Sequence, residues 1–309
     1  MHINSKILIL GSGGMVGHAL IAKLKSDGYV NLITPSSKYL DLRDQFQTRV
    51  YFEHTRPDYV FFLAAKVGGI IANMKSPATF GYENMIMQAN VIEAAYVSKV
   101  KKMLFMGSSC IYPRDCGQPM KEEYLLTGPL EPTNETYALA KIAGLKLCSA
   151  YRKQHGCDFI SCMPCNLYGP HDNFNPETSH VISGMVYKFH KAKMENKTEY
   201  VCMGTGSAKR EFLFVDDVAD GCCFLMNNYS SEQHINLGSG IDCTIKELAE
   251  TIKEVVGFEG ELKWDPSKPD GMPRKIMDVS KMEFLGWKAK TTLKDGIIAT
   301  YEWFKGNIK

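Results

Sequence analysis

Short continuous apolar runs alternate with longer, periodically apolar stretches through the first half of the chain. Ile7 to Leu10 (ILIL) is the first such run, followed by Val30 to Thr34, Asp58 to Leu63 (DYVFFL), Met103 to Met106 and Asp158 to Met163. Runs this short, apolar at nearly every position and bounded by turn formers, predict strands covered on both faces. The stretches between them predict helices, one from Met15, one over Thr79 to Ser98 and one over Thr133 to Gln154, with Thr133 or Asn134 as N-cap. Repeated strand–helix alternation predicts an α/β fold of the Rossmann type, a doubly wound parallel sheet with helices on both faces.

The pattern changes from Pro164. The stretch CNLYGPHDNFNPETSH is rich in turn formers, and VISGMVYKFHKAK then looks helical. A strand and a helix start follow in Lys209 to Asp217, a strand at Ile235 to Leu237, a helix from Thr244 to Val256 and a turn-rich DPSKPDGMPRK. These segments predict a smaller C-terminal lobe interleaved with the first domain. The expected division is a nucleotide-binding domain over 1–170, with 211–240 contributing, and a substrate-binding lobe over 171–309. A substrate would lie in the cleft between them.

Glycines fall directly after the first strand. Gly11, Gly14 and Gly17 give G-x-x-G-x-x-G, enclosing Ser12, Gly13, Met15 and Val16. The strict fingerprint G-x-G-x-x-G is not met, but a tight turn feeding a helix N-terminus presents the same free N–H groups to a pyrophosphate. A purely structural turn is the alternative. Small residues at Ala64 and Ala65 would let backbone approach a cofactor closely. After the second strand stand Pro35, Ser36, Ser37 and Lys38, with no acid before Asp41 and Leu42. Hydroxyls and a cation suit a phosphorylated ribose, so NADPH is expected over NADH, with an ordinary surface turn as the competing reading.

The strand ending at Met106 opens into Gly107-Ser108-Ser109-Cys110, and Tyr137 and Lys141 stand four residues apart on the helix that follows. That spacing puts phenol and ammonium on one face. A lysine there is expected to favour the phenolate and make Tyr137 a proton donor or acceptor, with Ser108 or Ser109 orienting a carbonyl. An amphipathic surface helix would show the same spacing.

Composition narrows the classes. Lys plus Arg is 36 against Asp plus Glu 34, a net charge of +2 in 309 residues, so nothing points to nucleic acid or an acidic membrane as partner. No run approaches the roughly 18 apolar residues of a membrane span, and the start lacks a signal-peptide pattern. Ten cysteines without such a signal point to a reducing compartment, the cytoplasm, with Cys222 and Cys223 in the core. Cys162 and Cys165 have C-x-x-C spacing but no second pair follows, so no metal site is expected.

The glycine turn, Ser108 and Tyr137-x-x-x-Lys141 resemble the extended short-chain dehydrogenase/reductase superfamily. More narrowly, AAKVGGI, GSSCIYP, EPTNETYALAKIAG, NLYGPHDNF, SHVI, REFLFVDD and KPDGMPRK resemble the GDP-L-fucose synthases, nearly end to end. The resemblance implies 3,5-epimerisation of GDP-4-keto-6-deoxy-D-mannose followed by NADPH-dependent reduction at C4. It assigns Cys110 as base and His180 as acid of the epimerisation, Tyr137 as acid of the reduction, Lys141 to the phenol and the nicotinamide ribose, and Ser108 to the ketone. Pro164, Cys165, Asn166 and Leu167 would line the nicotinamide. Lys188, Met203, Arg210 and Asp270 would contact the GDP-sugar. Family members often carry Arg where this chain has Lys188 and Trp where it has Met203, which alters the fork and the aromatic surface offered to substrate. Some carry basic residues where this chain has Ser12 and Gly13. The resemblance also implies a homodimer built from the Thr79 and Asn134 helices. Competing readings are a related nucleotide-sugar 4-epimerase or 4,6-dehydratase, and a catalytically silent NADP-binding sensor. A dehydratase would place an acidic pair where Ser109 and Cys110 stand, and a silent sensor would often lose Tyr137 or Lys141.

Overall fold

The computed structural model describes residues 1–268 and 270–307; Pro269 of the KPDGMPRK stretch, Ile308 and Lys309 lie outside them. The chain begins with β1 (Ile7–Leu10), α1 (Met15–Ser26), β2 (Leu32–Ile33), α2 (Gln45–Thr55) and β3 (Tyr59–Phe62). It continues through α3 (Ile70–Lys75), α4 (Pro77–Val97), β4 (Lys102–Met106), α5 (Glu135–His155) and β5 (Phe159–Pro164). These strands and a later one, β9, form a six-stranded sheet in the order β2-β1-β3-β4-β5-β9, parallel throughout. Burial explains the composition of its central strands: Ile7, Leu8, Ile9, Val60, Phe61, Met103, Leu104 and Phe105 are wholly hidden, because helices cover both faces.

The second strand is shorter than its expected span of Val30 to Thr34. It pairs only with β1, and Val30 is 74% exposed, so half of the usual pairing and covering is absent at this edge. The predicted long helices stand within a few residues of their expected bounds. Gly156, in the left-handed region at φ +70°, ends α5.

The rest of the chain runs β6 (Asn166–Tyr168), α6 (Val181–Met194), β7 (Glu199–Met203), β8 (Lys209–Phe214) and α7 (Val215–Asn228). Then come β9 (Ile235–Leu237), β10 (Asp242–Thr244), α8 (Ile245–Val256), β11 (Glu261–Asp265), β12 (Arg274–Lys275), α9 (Ser280–Phe284) and α10 (Leu293–Asn307). Strand β8 is the hub of this half, pairing β6 and β12 in parallel and β10 antiparallel, while β7 pairs β11. A second apolar cluster joins α6, α8 and α10 through Phe189, Leu248, Ile252, Tyr301 and Phe304.

The two halves are stitched by Glu211, which is fully buried on β8. Its carboxylate accepts the N–H groups of Gly240 and Met277, both at 2.8 Å, which offsets the cost of hiding a charge. Between β9, the last strand of the large sheet, and β10, a partner of β8, the chain runs through only Gly238 to Ile241.

Candidate active site

Register places the sheet's carboxyl ends together. Leu10 lies beside Phe62, Phe62 beside Phe105, Met106 beside Cys162 and Pro164 beside Leu237. The residues leaving these strands, Gly11, Ala64, Gly107 and Cys165, therefore share one edge, where ligands of doubly wound sheets lie. The strand order also reverses at β1 and β3, which places the switch point at Gly11 and Ala64.

The glycine turn is required by close approach. Gly11 has φ +93°, and a Cβ there would sit 2.7 Å from the Ala64 nitrogen. A Cβ on Gly17 would sit 2.3 Å from the Gly11 carbonyl oxygen, which backbone cannot relieve. Gly14 caps α1 with extended backbone, and the space around Gly13 is open. The N–H groups of the first turn, carried by Met15, Val16 and Gly17, lack helical partners and face this opening with the positive end of the dipole. The buried Ser12 hydroxyl donates to the Pro35 carbonyl at 3.1 Å, tying the turn to Ser36, Ser37 and Lys38, all exposed. These groups fit a dinucleotide diphosphate with an anionic ribose. Asp41 is held by Arg43 (2.9 and 2.8 Å), whose guanidinium keeps the carboxyl below its usual range. Leu42 is buried, and its carbonyl accepts from Asn90.

Beyond β3, Ala64 and Ala65 are half-buried, and the next residue is pinned by a side chain that sequence reasoning missed. Asn84 on α4 is fully buried and bonds both backbone groups of Lys66 at 3.0 Å. Asn84 is one of three buried amides on α4, with Gln88 and Asn90, and that run of amides was the available signal.

Ser108, Cys110, Tyr137 and Lys141 converge beside the end of β4. The Ser108 hydroxyl accepts the Cys110 N–H at 3.2 Å and caps a single 3-10 turn, Ser109–Ile111. Lys141 is 2% exposed, donates to the Met106 carbonyl at 2.8 Å and lies 5.0 Å from the Phe105 ring centre and 5.9 Å from that of Tyr137. Burial lowers its ammonium to about 8. The expected lowering of the Tyr137 phenol by Lys141 is not found. Burial drives that phenol up, the neighbouring Cys110 thiol pushes the same way, and only a hydrogen bond from Ser108 opposes them. Burial is the larger effect, so the phenol keeps its proton at neutral pH.

Cys110 is half-buried, and its sulfur accepts a hydrogen bond from the Asn134 amide at 3.1 Å. Asn134 stands at the N-cap of α5 as expected, yet its side chain bonds no N–H of that helix. Thr133 turns to Glu131 instead. A cavity of about 280 Å³ opens here, lined by Asn73, Met74, Pro132, Asn134 and Tyr137 among others.

His180 is exposed at the N-cap of α6. The segment before it meets the start of α3: a Cβ on Gly69, which caps that helix, would stand 3.4 Å from the Ser179 carbonyl oxygen and 3.8 Å from that of Thr178. Asp172 lies near, its carboxyl raised by burial against the opposing pull of His180 and Ser183. No pattern in the sequence marks Asp172.

On the sheet side, Pro164 closes β5, and burial pushes the Cys165 thiol well up. Asn166 donates to the Glu211 carbonyl at 2.8 Å, and Leu167 is half-buried beside Leu213. The four residues expected to meet substrate lie in the second half. Arg210 is half-buried next to the Asp270–Gly271 turn. Asp270 accepts from the Thr205 N–H (2.6 Å) and hydroxyl (2.7 Å), which hold its carboxyl low. Lys188 neighbours Cys202, and Met203, beside it in β7, is 70% exposed.

A glycine turn at the switch point of a parallel sheet, together with a cluster of half-buried Ser108 and Tyr137 over buried Lys141, defines a Rossmann-type dinucleotide-dependent enzyme. The chain belongs to the NAD dependent epimerase/dehydratase family, whose model matches residues 7–238. It is 54% identical over 305 residues to a protein named GDP-L-fucose synthase 1 from Arabidopsis thaliana, covering 99% of this chain and 94% of that one. It is 48% identical over 311 residues to the GDP-L-fucose synthase of Escherichia coli (strain K12), covering 98% and 97%. Among solved structures, a GDP-L-fucose synthetase from Naegleria fowleri bound to NADP superposes with a TM-score of 0.92 at 33% identity, covering 99% of this chain and 96% of that one.

Proposed function

We propose that this chain converts GDP-4-keto-6-deoxy-D-mannose to GDP-L-fucose, epimerising C3 and C5 and reducing C4 with NADPH. The observation that carries the reading is a thiol, Cys110, built into the same cluster as Ser108, Tyr137 and Lys141. A simple reductase needs the last three only. An epimerase acting next to a ketone needs a base as well. The names of the relatives above agree with this assignment.

The C4 ketone acidifies the hydrogens at C3 and C5. Cys110 takes each proton as a thiolate, leaving an enediolate, and His180 returns a proton to the opposite face. A thiol and an imidazole are side chains able to take and return a proton at a carbon acid. Bound NADPH supplies the hydride for C4. Tyr137, protonated because it is buried, gives its proton to the C4 oxygen, while Ser108 hydrogen-bonds that oxygen. Lys141 sits beneath the phenol with further N–H donors for a ribose hydroxyl. Residues 1–170 with 211–240 would hold the cofactor and 171–309 the GDP-sugar, through Lys188, Met203, Arg210 and Asp270. A homodimer would cover Tyr82, Met85 and Leu139, apolar side chains exposed on α4 and α5.

Incubation with GDP-4-keto-6-deoxy-D-mannose and NADPH should consume NADPH in step with GDP-L-fucose formation. Sugar conversion without NADPH loss would favour a plain epimerase, and no turnover would favour a silent binder. Cys110→Ser should abolish solvent-deuterium incorporation at C3 and C5; retained exchange would remove Cys110 from its role. Among the described residues no helix is long and apolar enough to cross a membrane.

A further inference from the structure

An asparagine at a helix N-cap ordinarily turns its side-chain oxygen to the N–H of the second or third helical residue. Asn134 does not. It occupies that position on α5, but its amide N–H points to the Cys110 sulfur at 3.1 Å and its oxygen is buried without a hydrogen-bond partner among the described residues. The helix thus forgoes its cap, and a buried carbonyl is left unmatched, each a cost. What the arrangement gains is a donor aimed at one sulfur. A second hold on Cys110 comes from the other side, where its own N–H bonds the Ser108 hydroxyl. The residue is thereby held between the end of β4 and the start of α5, bonded to Asn134, which with Tyr137 lines the neighbouring cavity.

We propose that Asn134 is a positioning residue for Cys110, donating to its sulfur so that the thiolate is favoured and is aimed at the carbon acid of the substrate. This rests on the epimerase reading of the same site. An N–H donor can stabilise only the deprotonated sulfur as a full acceptor, and hydrogen bonds to ionised groups exceed neutral ones. From α5 the titratable groups facing the thiol are Tyr137 and Lys141. The phenol, holding its proton, carries no charge against the thiolate; the ammonium favours it. Asn134 acts in the same direction as Lys141 but contributes nothing to hydride transfer, which separates its effects from those of the lysine.

The test compares wild type with Asn134→Ser and Asn134→Asp. Serine keeps an N-cap side chain but cannot reach the sulfur; aspartate replaces the donor by a negative charge. Solvent-deuterium exchange at C3 and C5 of GDP-4-keto-6-deoxy-D-mannose is followed across pH, and iodoacetamide labelling of Cys110 is followed by peptide mapping as a readout independent of turnover. Asn134→Ser should lose about 10- to 100-fold in exchange at pH 7 and recover as pH rises. The rise of Cys110 labelling should move to higher pH in step, and Asn134→Asp should move both further. Reduction of the already epimerised keto-sugar should fall much less than exchange. Unchanged pH profiles in Asn134→Ser, or a uniform loss without recovery at high pH, would overturn the inference. Absence of exchange in wild type would instead sink the epimerase reading, while the labelling profiles would still decide the role of Asn134.

Discussion

Tyr137→Phe reduces the C4 ketone about 10²- to 10⁴-fold more slowly than wild type, and solvent-deuterium exchange at C3 and C5 persists. Both halves of that expectation come from the cluster's layout. The phenol stands beside Ser108, and desolvation holds its proton in place throughout the neutral range. Hydride arriving at C4 creates an alkoxide that needs a proton at that moment, and phenylalanine offers none. On the proposed assignment the proton transfers at C3 and C5 fall to other groups, Cys110 and His180, so they should outlast the change. Stopped-flow NADPH oxidation and NMR of the recovered sugar measure the two separately. Undiminished reduction in the variant would contradict the assignment.

Lys141→Met should abolish most reduction and yet stabilise the fold. Lys141 is almost wholly buried, and burial lowers its ammonium from 10.5 to about 8. Because the folded value lies below the unfolded one, the unfolded chain binds more protons between those limits, and stability rises with pH across that window. Below about pH 8 the full penalty is present, roughly 3 kcal/mol at one pKa unit per 1.36 kcal/mol. Methionine fills a similar volume, carries no charge and removes the penalty. Urea unfolding at pH 7 should therefore show the variant more stable by up to that amount, and the gap should narrow as pH climbs from 8 to 10.5. A variant less stable than wild type, or a gap independent of pH, would show that the bond to Met106 outweighs desolvation. Loss of activity in a better-folded protein would also exclude unfolding as its cause.

The parallel sheet was legible because its strands are covered on both faces, which leaves continuous apolar runs such as ILIL and DYVFFL. Helices α4 and α5 were legible from length and period. Helix α2 was not: Gln45 to Thr55 is mostly polar and buries only Thr48 and Phe52, so little periodicity marks it. The short strands β6, β7, β11 and β12 form only through partners distant in sequence, which local pattern does not encode. At the site, Tyr137 and Lys141 could be paired from spacing, but the direction of the phenol's shift could not. That depends on burial and on the Cys110 and Ser108 side chains beside the phenol, which only the fold brings there. Asn134 was readable as a cap, and only the position of Cys110 shows that its amide is used elsewhere.

Glu211 has a mechanical consequence. Its carboxylate grips the four-residue tether that joins β9 to β10, at Gly240, and the backbone of Met277 just past β12. A wide clamshell swing would have to tear Gly240 or Met277 from a buried anion. The floor of the site and the β8 sheet are therefore held together by a buried charge as well as by the chain itself.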